Sequence, residues 1–229
     1  MKITILTLFP KMFQGPFDHS IVKIAKEKNI LELNIVNIRD FGLTRHQTVD
    51  DTPFGGGIGM VLRVDVLHTA IKSVIKENEK SHIVLLDARG KTYNQKKAKE
   101  FTKIEHLVII CGHYEGVDER IRKYVDEEVS LGDFILTGGE IPSMAIVDSV
   151  TRLLPGVLKE GATDNESFSL IDGSGNLLEY PHYTQPREYE GEVVPEILLS
   201  GNHAKIDEWR LLEAKKITQT NRPDLTSKK

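Results

Sequence analysis

Three glycine-bearing stretches, Asp87-Ala-Arg-Gly90, Gly112-His-Tyr-Glu-Gly-Val-Asp118 and Leu131-Gly-Asp-Phe-Ile-Leu-Thr-Gly-Gly139, each follow directly on a short apolar run. A loop placed after a buried strand exposes amides and carbonyls at the strand's carboxyl end, and glycine lets a ligand approach that backbone. One such loop is an ordinary turn; the three together describe the walls of a ligand pocket. A fourth stretch, Thr52-Pro-Phe-Gly-Gly-Gly-Ile-Gly-Met60, is bracketed by Arg45, His46, Asp50, Asp51 and Arg63. It reads either as a surface connection or as a flap closing over a ligand.

Other chemistries fail on spacing. Gly90-Lys-Thr92 imitates a phosphate-binding loop, but the first glycine that loop needs falls on Leu85, so the amide cradle cannot form. No glycine lies three residues beyond Gly59, which removes the dinucleotide fingerprint. There is no His-Glu-x-x-His pattern or tight cluster of His, Asp and Glu to hold a metal, and His82 and His106, each opening a strand, read as surface residues. The one cysteine, Cys111, sits in an apolar run and reads as a buried thiol.

The elements that must position the loops are legible from periodicity. Apolar runs over residues 2–9, 31–37, 82–87, 106–111 and 128–136 read as strands. Helical faces lie between them: Ile21, Ile24 and Ala25; then Val66, Ala70, Val74 and Ile75; then Ile141, Ala145, Val147, Val150 and Leu153. The alternation predicts an α/β fold with a largely parallel, doubly wound sheet over residues 1–158. A polar, glycine-containing stretch over 159–176 reads as a flexible interdomain linker, and 177–229 as a small C-terminal helical domain. Its helices are expected over 195–200 and 202–220, the second capped by Asn202 and turning Ile206, Trp209, Leu212 and Ile217 to a core. With 229 residues, a net charge of −4 and no apolar run long enough to span a bilayer, the chain is expected to be soluble and cytoplasmic. Any nucleic-acid affinity must come from a local patch.

Arg45-His-Gln-Thr-Val-Asp-Asp51, Gly55-Gly-Gly-Ile-Gly-Met60, Cys111-Gly-His-Tyr-Glu-Gly-Val-Asp-Glu-Arg120, Gly132-Asp-Phe-Ile-Leu-Thr-Gly-Gly-Glu-Ile-Pro142, Leu154-Pro-Gly-Val157, Pro181-His-Tyr-Thr184 and Leu198-Leu-Ser-Gly-Asn-His203 together resemble the bacterial tRNA (guanine-N1)-methyltransferases of the TrmD family, SPOUT class, which act on position 37. The match runs in order over nearly the whole chain. It implies a deep trefoil knot in the sheet domain, S-adenosylmethionine as methyl donor with S-adenosylhomocysteine as product, a homodimer, and tRNA rather than DNA or a membrane as partner. It also implies Mg²⁺-dependent activity, with no ligands identifiable. The cofactor residues it implies are Leu86, Gly90, Gly112, Tyr114, Glu115, Leu131, Gly132, Asp133, Phe134, Ile135, Leu136, Gly138 and Gly139. The chain departs from the family pattern at Ala88, where proline is usual, and at Gln47, His113 and Gln185, where arginine is usual. Glu166 stands where aspartate is frequent.

Methylating guanine N1 requires removal of its proton and stabilisation of the charge that builds on O6. The resemblance places the base just before a Ser-Phe pair, which makes Glu166 the general base, Arg152 the O6 stabiliser and Asp164 the reserve base. For the RNA, Arg45, Asp50, Gly57, Gly59, His182, Tyr183 and Lys215 are the candidate contacts, with Lys205, Arg210, Lys216 and Arg222 adding to a basic patch. Three readings compete: a sister SPOUT enzyme acting on another nucleoside, a non-catalytic S-adenosylmethionine or RNA-binding module, and, last, a phosphate-handling hydrolase.

Overall fold

The computed structural model describes residues 1–78, 80–173 and 175–226. Ser174 of the expected linker and residues 227–229 of the expected C-terminal domain lie outside them. The chain forms two compact units, Met1–Leu158 and Lys159–Lys229.

The first unit is built on β1 (Lys2–Thr7), α1 (Ser20–Glu27), β2 (Glu32–Asn37), β3 (Asp50–Asp51), β4 (Val61–Leu62), α2 (Val64–Val74), β5 (Ser81–Thr92), α3 (Gln95–Phe101), β6 (His106–Cys111), β7 (Glu127–Ser130) and α4 (Glu140–Thr151). Five strands make one parallel sheet in the order β2-β1-β6-β5-β7. Both faces are covered, which is why the strands are near-continuous apolar runs rather than alternating ones. Ile3, Ile5, Val84, Leu86, Leu107 and Ile109 face a core shared with α1, α3 and α4. Leu6, Leu85, Val108 and Ile110 face the opposite core with Leu67 and Ile71 of α2.

Several boundaries differ from the sequence reading. β1 stops at Thr7 because the Thr7 hydroxyl takes the Phe9 amide and Pro10 opens a 3-10 turn. β5 runs on to Thr92, so Gly90-Lys-Thr92 lies within a strand; Leu86 and Lys91 both register with Val129, and residues 87–90 bulge out between them. β7 ends at Ser130, leaving 131–139 as loop. α3 escapes the periodicity test because it is short and polar; the Asn94 side chain caps it by accepting from the Lys97 amide. Helix phases shift too: α1 buries Val22 and exposes Ile24, while α4 buries Ile146, Val147 and Val150, exposes Ile141 and Ala145, and ends before Leu153.

His106 is fully buried, not on the surface. It lies in β6, between β1 and β5, and its ring nitrogens bond the hydroxyls of Thr4 at 2.9 Å and Ser81 at 2.8 Å. His82 is partly buried, with Nε2 2.7 Å from a Glu127 carboxylate oxygen.

The second unit opens with turns over 159–170, then the strand pair β8 (Ile171–Asp172) and β9 (Gly175–Asn176). The hairpin of β10 (Glu188–Tyr189) and β11 (Glu192–Val193) follows, then α5 (Glu196–Leu199) and α6 (His203–Asn221). Asn202 caps α6 by accepting from the Lys205 amide at 3.2 Å. α6 buries Ile206, Ala214 and Thr218, leaves Trp209 and Ile217 partly covered and exposes Leu212, because Thr218 packs inward and accepts the Leu178 amide at 2.8 Å.

Gly90 is fixed by packing. A Cβ there would strike the Val129 amide nitrogen and lie 2.6 Å from the Glu128 carbonyl carbon, both backbone atoms of β7. Gly90→Ala should therefore lose about 1–3 kcal/mol of stability in urea unfolding, against a change within about 0.5 kcal/mol for Gly173→Ala, where a Cβ meets open space.

Candidate functional site

A cavity of about 500 Å³ opens at the bulge of β5 and beyond the carboxyl ends of β6 and β7. Its size is that of a pocket for a nucleoside-sized molecule. The three glycine-bearing loops are its walls. Of the residues the resemblance implies for the cofactor, Leu86, Gly112, Tyr114, Glu115, Leu131, Gly132, Phe134, Ile135, Leu136, Gly138 and Gly139 line it. Gly90 and Asp133 do not: Gly90 packs on β7 and lines a separate cleft with Arg122 and Glu128. The lining also includes Asp87, Ala88, Arg89, His113 and Thr137, which the same loops carry, and Pro142 of α4.

The loops meet backbone to backbone. The Gly139 amide donates to the Gly112 carbonyl at 2.9 Å, His113 bridges Gly138, and a Cβ on Gly139 would lie 2.6 Å from the Cα of Cys111. At Gly112 a Cβ would stand 3.3 Å from the Leu86 carbonyl oxygen. Without side chains at these points the loops can approach one another backbone to backbone. Tyr114 holds φ of 60°, a left-handed conformation that costs energy for a non-glycine residue. Phe134 and Ile135 are exposed at the mouth, offering an apolar surface to a planar ring.

Electrostatics fix the first loop. Asp87 accepts from Arg89 at 3.2 Å and from Arg122 at 2.9 Å, and Arg122 also pairs with Glu128. Burial pushes the Asp87 carboxyl up, but the hydrogen bonds from Arg89 and Arg122 outweigh it and hold the group below the usual carboxylate range. Beneath the second loop, burial first and the charge of Glu140 second push the Cys111 thiol far above its ordinary value. This is an inert structural cysteine rather than a nucleophile.

The fourth glycine-rich stretch joins β3 to β4 and runs beside the cavity. The Met60 carbonyl accepts the Glu115 amide at 3.0 Å, and a Cβ on Gly59 would collide with the Glu115 side chain. Gly57 and Gly59 both have positive φ, and Phe54 and Ile58 project into solvent. Asp50 is partly buried; Arg45 is exposed with its Nε 3.1 Å from Nε2 of His46, and Arg63 is occupied by Asp51 and Asp65.

Arg152 caps the end of α4 in the first unit; Asp164, exposed, and Glu166, partly buried, belong to the second. In the second unit His182 bonds Glu179 at 2.8 Å and Tyr183 is half-exposed beside Trp209. Lys215 ties Asp172 at 3.0 Å, and Arg210, Lys216 and Arg222 pair with Asp207, Glu213 and Asp224. These acidic neighbours offset the basic patch that composition of α6 suggests. Among the described residues no group of three His, Cys, Asp or Glu could hold a metal, and no helix is long and apolar enough to cross a membrane.

The profile of a family described as tRNA (Guanine-1)-methyltransferase TrmD matches residues 1–228. Proteins named tRNA (guanine-N(1)-)-methyltransferase resemble the chain over its length. That of Clostridium botulinum (strain Eklund 17B / Type B) is 54% identical over 226 residues, 98% of this chain and 92% of its own. That of Bacillus pumilus is 54% identical over 228 residues, covering 98% and 91%, and that of Dictyoglomus turgidum 50% over 229, covering 100% and 91%.

Because its folded-state value is lowered, the Asp87 carboxyl stabilises the fold above its unfolded value of about 4 and loses that contribution as pH falls through the folded value. Asp87→Asn should cost about 1–3 kcal/mol at pH 7 in urea unfolding. Repeated below pH 4, the same comparison should show a smaller difference from wild type.

Proposed function

Since the chain belongs to the tRNA (guanine-1)-methyltransferase family, we propose that it transfers a methyl group from S-adenosylmethionine to N1 of guanosine 37 of tRNA. The observation that carries this is the cavity of about 500 Å³ walled by the three glycine loops, in a chain about half identical throughout to proteins named tRNA (guanine-N(1)-)-methyltransferase.

The cavity suits the cofactor. Gly112, Gly138 and Gly139 keep the loops bare where a nucleoside would need backbone hydrogen bonds, and Phe134, Ile135 and Leu136 supply an apolar wall for a purine. When bound, the cofactor supplies a methyl group on a sulfonium, a strong electrophile whose leaving group is a neutral thioether. The protein's work is then placement and proton handling. In this reading Glu166 takes the N1 proton, Arg152 meets the negative charge developing on O6, and Asp164 is the reserve base. Arg45, Asp50, Gly57 and Gly59 of the β3–β4 region, adjoining Glu115, contact the RNA, as do His182 and Tyr183. Lys215, tied to Asp172, serves there mainly as a fold contact, and exposed Lys205 is the better phosphate ligand.

The family reading extends further. In that reading the three loops are threaded as a trefoil knot. In the same reading two copies form a homodimer in the cytoplasm. Mg²⁺ dependence is assigned to no residue.

The direct test is labelled methyl transfer to unmodified tRNA transcripts carrying guanosine or adenosine at position 37, with the product mapped. Transfer to N1 of guanosine 37 alone supports the reading; cofactor binding with no transfer to either transcript points to a sister enzyme or a binding module. Glu166→Gln and Arg152→Ala should each lower single-turnover rate by about 10²-fold or more while leaving S-adenosylmethionine affinity within about threefold. Near-normal chemistry in Glu166→Gln would pass the base role to Asp164.

A further inference from the structure

We propose that the Glu140 carboxylate reads the charge of the cofactor from beneath the cavity, favouring the positively charged methyl donor over its neutral product; this rests on the S-adenosylmethionine reading above. Glu140 opens α4 and is only 2% exposed. One of its oxygens, Oε1, accepts from the Thr7 hydroxyl at 2.7 Å. That hydroxyl already accepts the Phe9 amide at 2.9 Å, so its proton is committed to Glu140. A buried carboxylate with one side-chain donor is costly, and the amino-terminal end of α4 offsets only part of that cost.

Oε2 lies directly behind the cavity wall. A Cβ on Gly138 would collide with it and would stand 2.7 Å from Cδ2 and 3.3 Å from Nε2 of His113. Gly138 and His113 both line the cavity and are bridged to each other. The absent side chain of Gly138 therefore leaves bare glycine backbone between the buried carboxylate and the ligand space. The acidic groups of the lining itself are differently placed: Asp87 is held by Arg89 and Arg122, and Glu115 is exposed to solvent.

Methyl transfer removes one positive charge from the cofactor, so donor and product differ by that charge and one methyl group. A fixed negative charge shielded from water and salt separates the two, whereas exposed Glu115 is screened. The consequence is a site that holds the donor and lets the product go.

Calorimetric titration of wild type and Glu140→Gln with S-adenosylmethionine and S-adenosylhomocysteine tests this. The isosteric variant should cut the preference for the donor on the order of tenfold, with product affinity changed by no more than about twofold. Equal weakening of both ligands, or an unchanged preference, would overturn it and leave Glu140 a packing residue. Should Glu140→Gln fail to give a cooperative melt, wild type alone decides. Its preference for the donor should persist from about 0.05 to 0.5 M salt, where a contribution from exposed Glu115 would collapse. Wild type that prefers the product, or a preference lost with salt, would sink the proposal. Absence of binding by either ligand would bring down the cofactor reading as well.

Discussion

At the end of β6 the chain packs backbone directly on backbone. The side chain that Gly139 lacks would stand 2.6 Å from the Cα of Cys111, and its amide bonds the Gly112 carbonyl at 2.9 Å. This contact sets where the third loop returns to the sheet and where α4 begins. It brings Glu140 to the end of β1, within reach of Thr7, and aims Ile146, Val147 and Val150 at one face of the sheet. The cavity is what remains between the loops once that approach is made. Any side chain at Gly139 would push the third loop away from the second and open the wall between them.

A parallel sheet buried on both faces makes the contact possible. Parallel strands run in one direction, so the bulge that interrupts β5 and the loops after β6 and β7 emerge together at one edge. The alternation of Ile3, Ile5, Leu107 and Ile109 on one face with Leu6, Val108 and Ile110 on the other locks the register, since a shift of one residue would exchange the two cores. His106, fully buried at the opposite edge between Thr4 and Ser81, satisfies both ring nitrogens and leaves no unpaired polar atom in the middle of the sheet. Rigid strands thus hold irregular loops, an arrangement that allows a bare backbone to be aimed accurately.

Charge is arranged with the same economy. Asp87, Arg89 and Arg122 pin the bulge that interrupts β5, so the first wall is held by ion pairs where strand pairing is lost. In the second unit Arg210, Lys215 and Lys216 of α6 are matched with acidic neighbours, and Lys215 secures the β8–β9 pair through Asp172. The net charge of α6 is therefore near neutrality, and the glycine-rich β3–β4 connection adjoins the second cavity wall.

Local pattern alone revealed the five sheet strands, the α/β class and the three loops, because continuous apolar runs and glycines placed after them are local signals of burial and of bare backbone. It also excluded the phosphate loop from the single residue Leu85. Resemblance, not periodicity, supplied the reaction and the roles proposed for Arg152 and Glu166. What local pattern could not give were facts that depend on a neighbour distant along the chain. Gly90 is a glycine because β7 passes against it, and His106 is buried because it lies between β1 and β5. α3 forms because Asn94 caps it and the core accepts Phe101, and Lys215 is committed to Asp172. Residue type and spacing determine which groups can do chemistry; packing between distant segments decides which of them are free to do it.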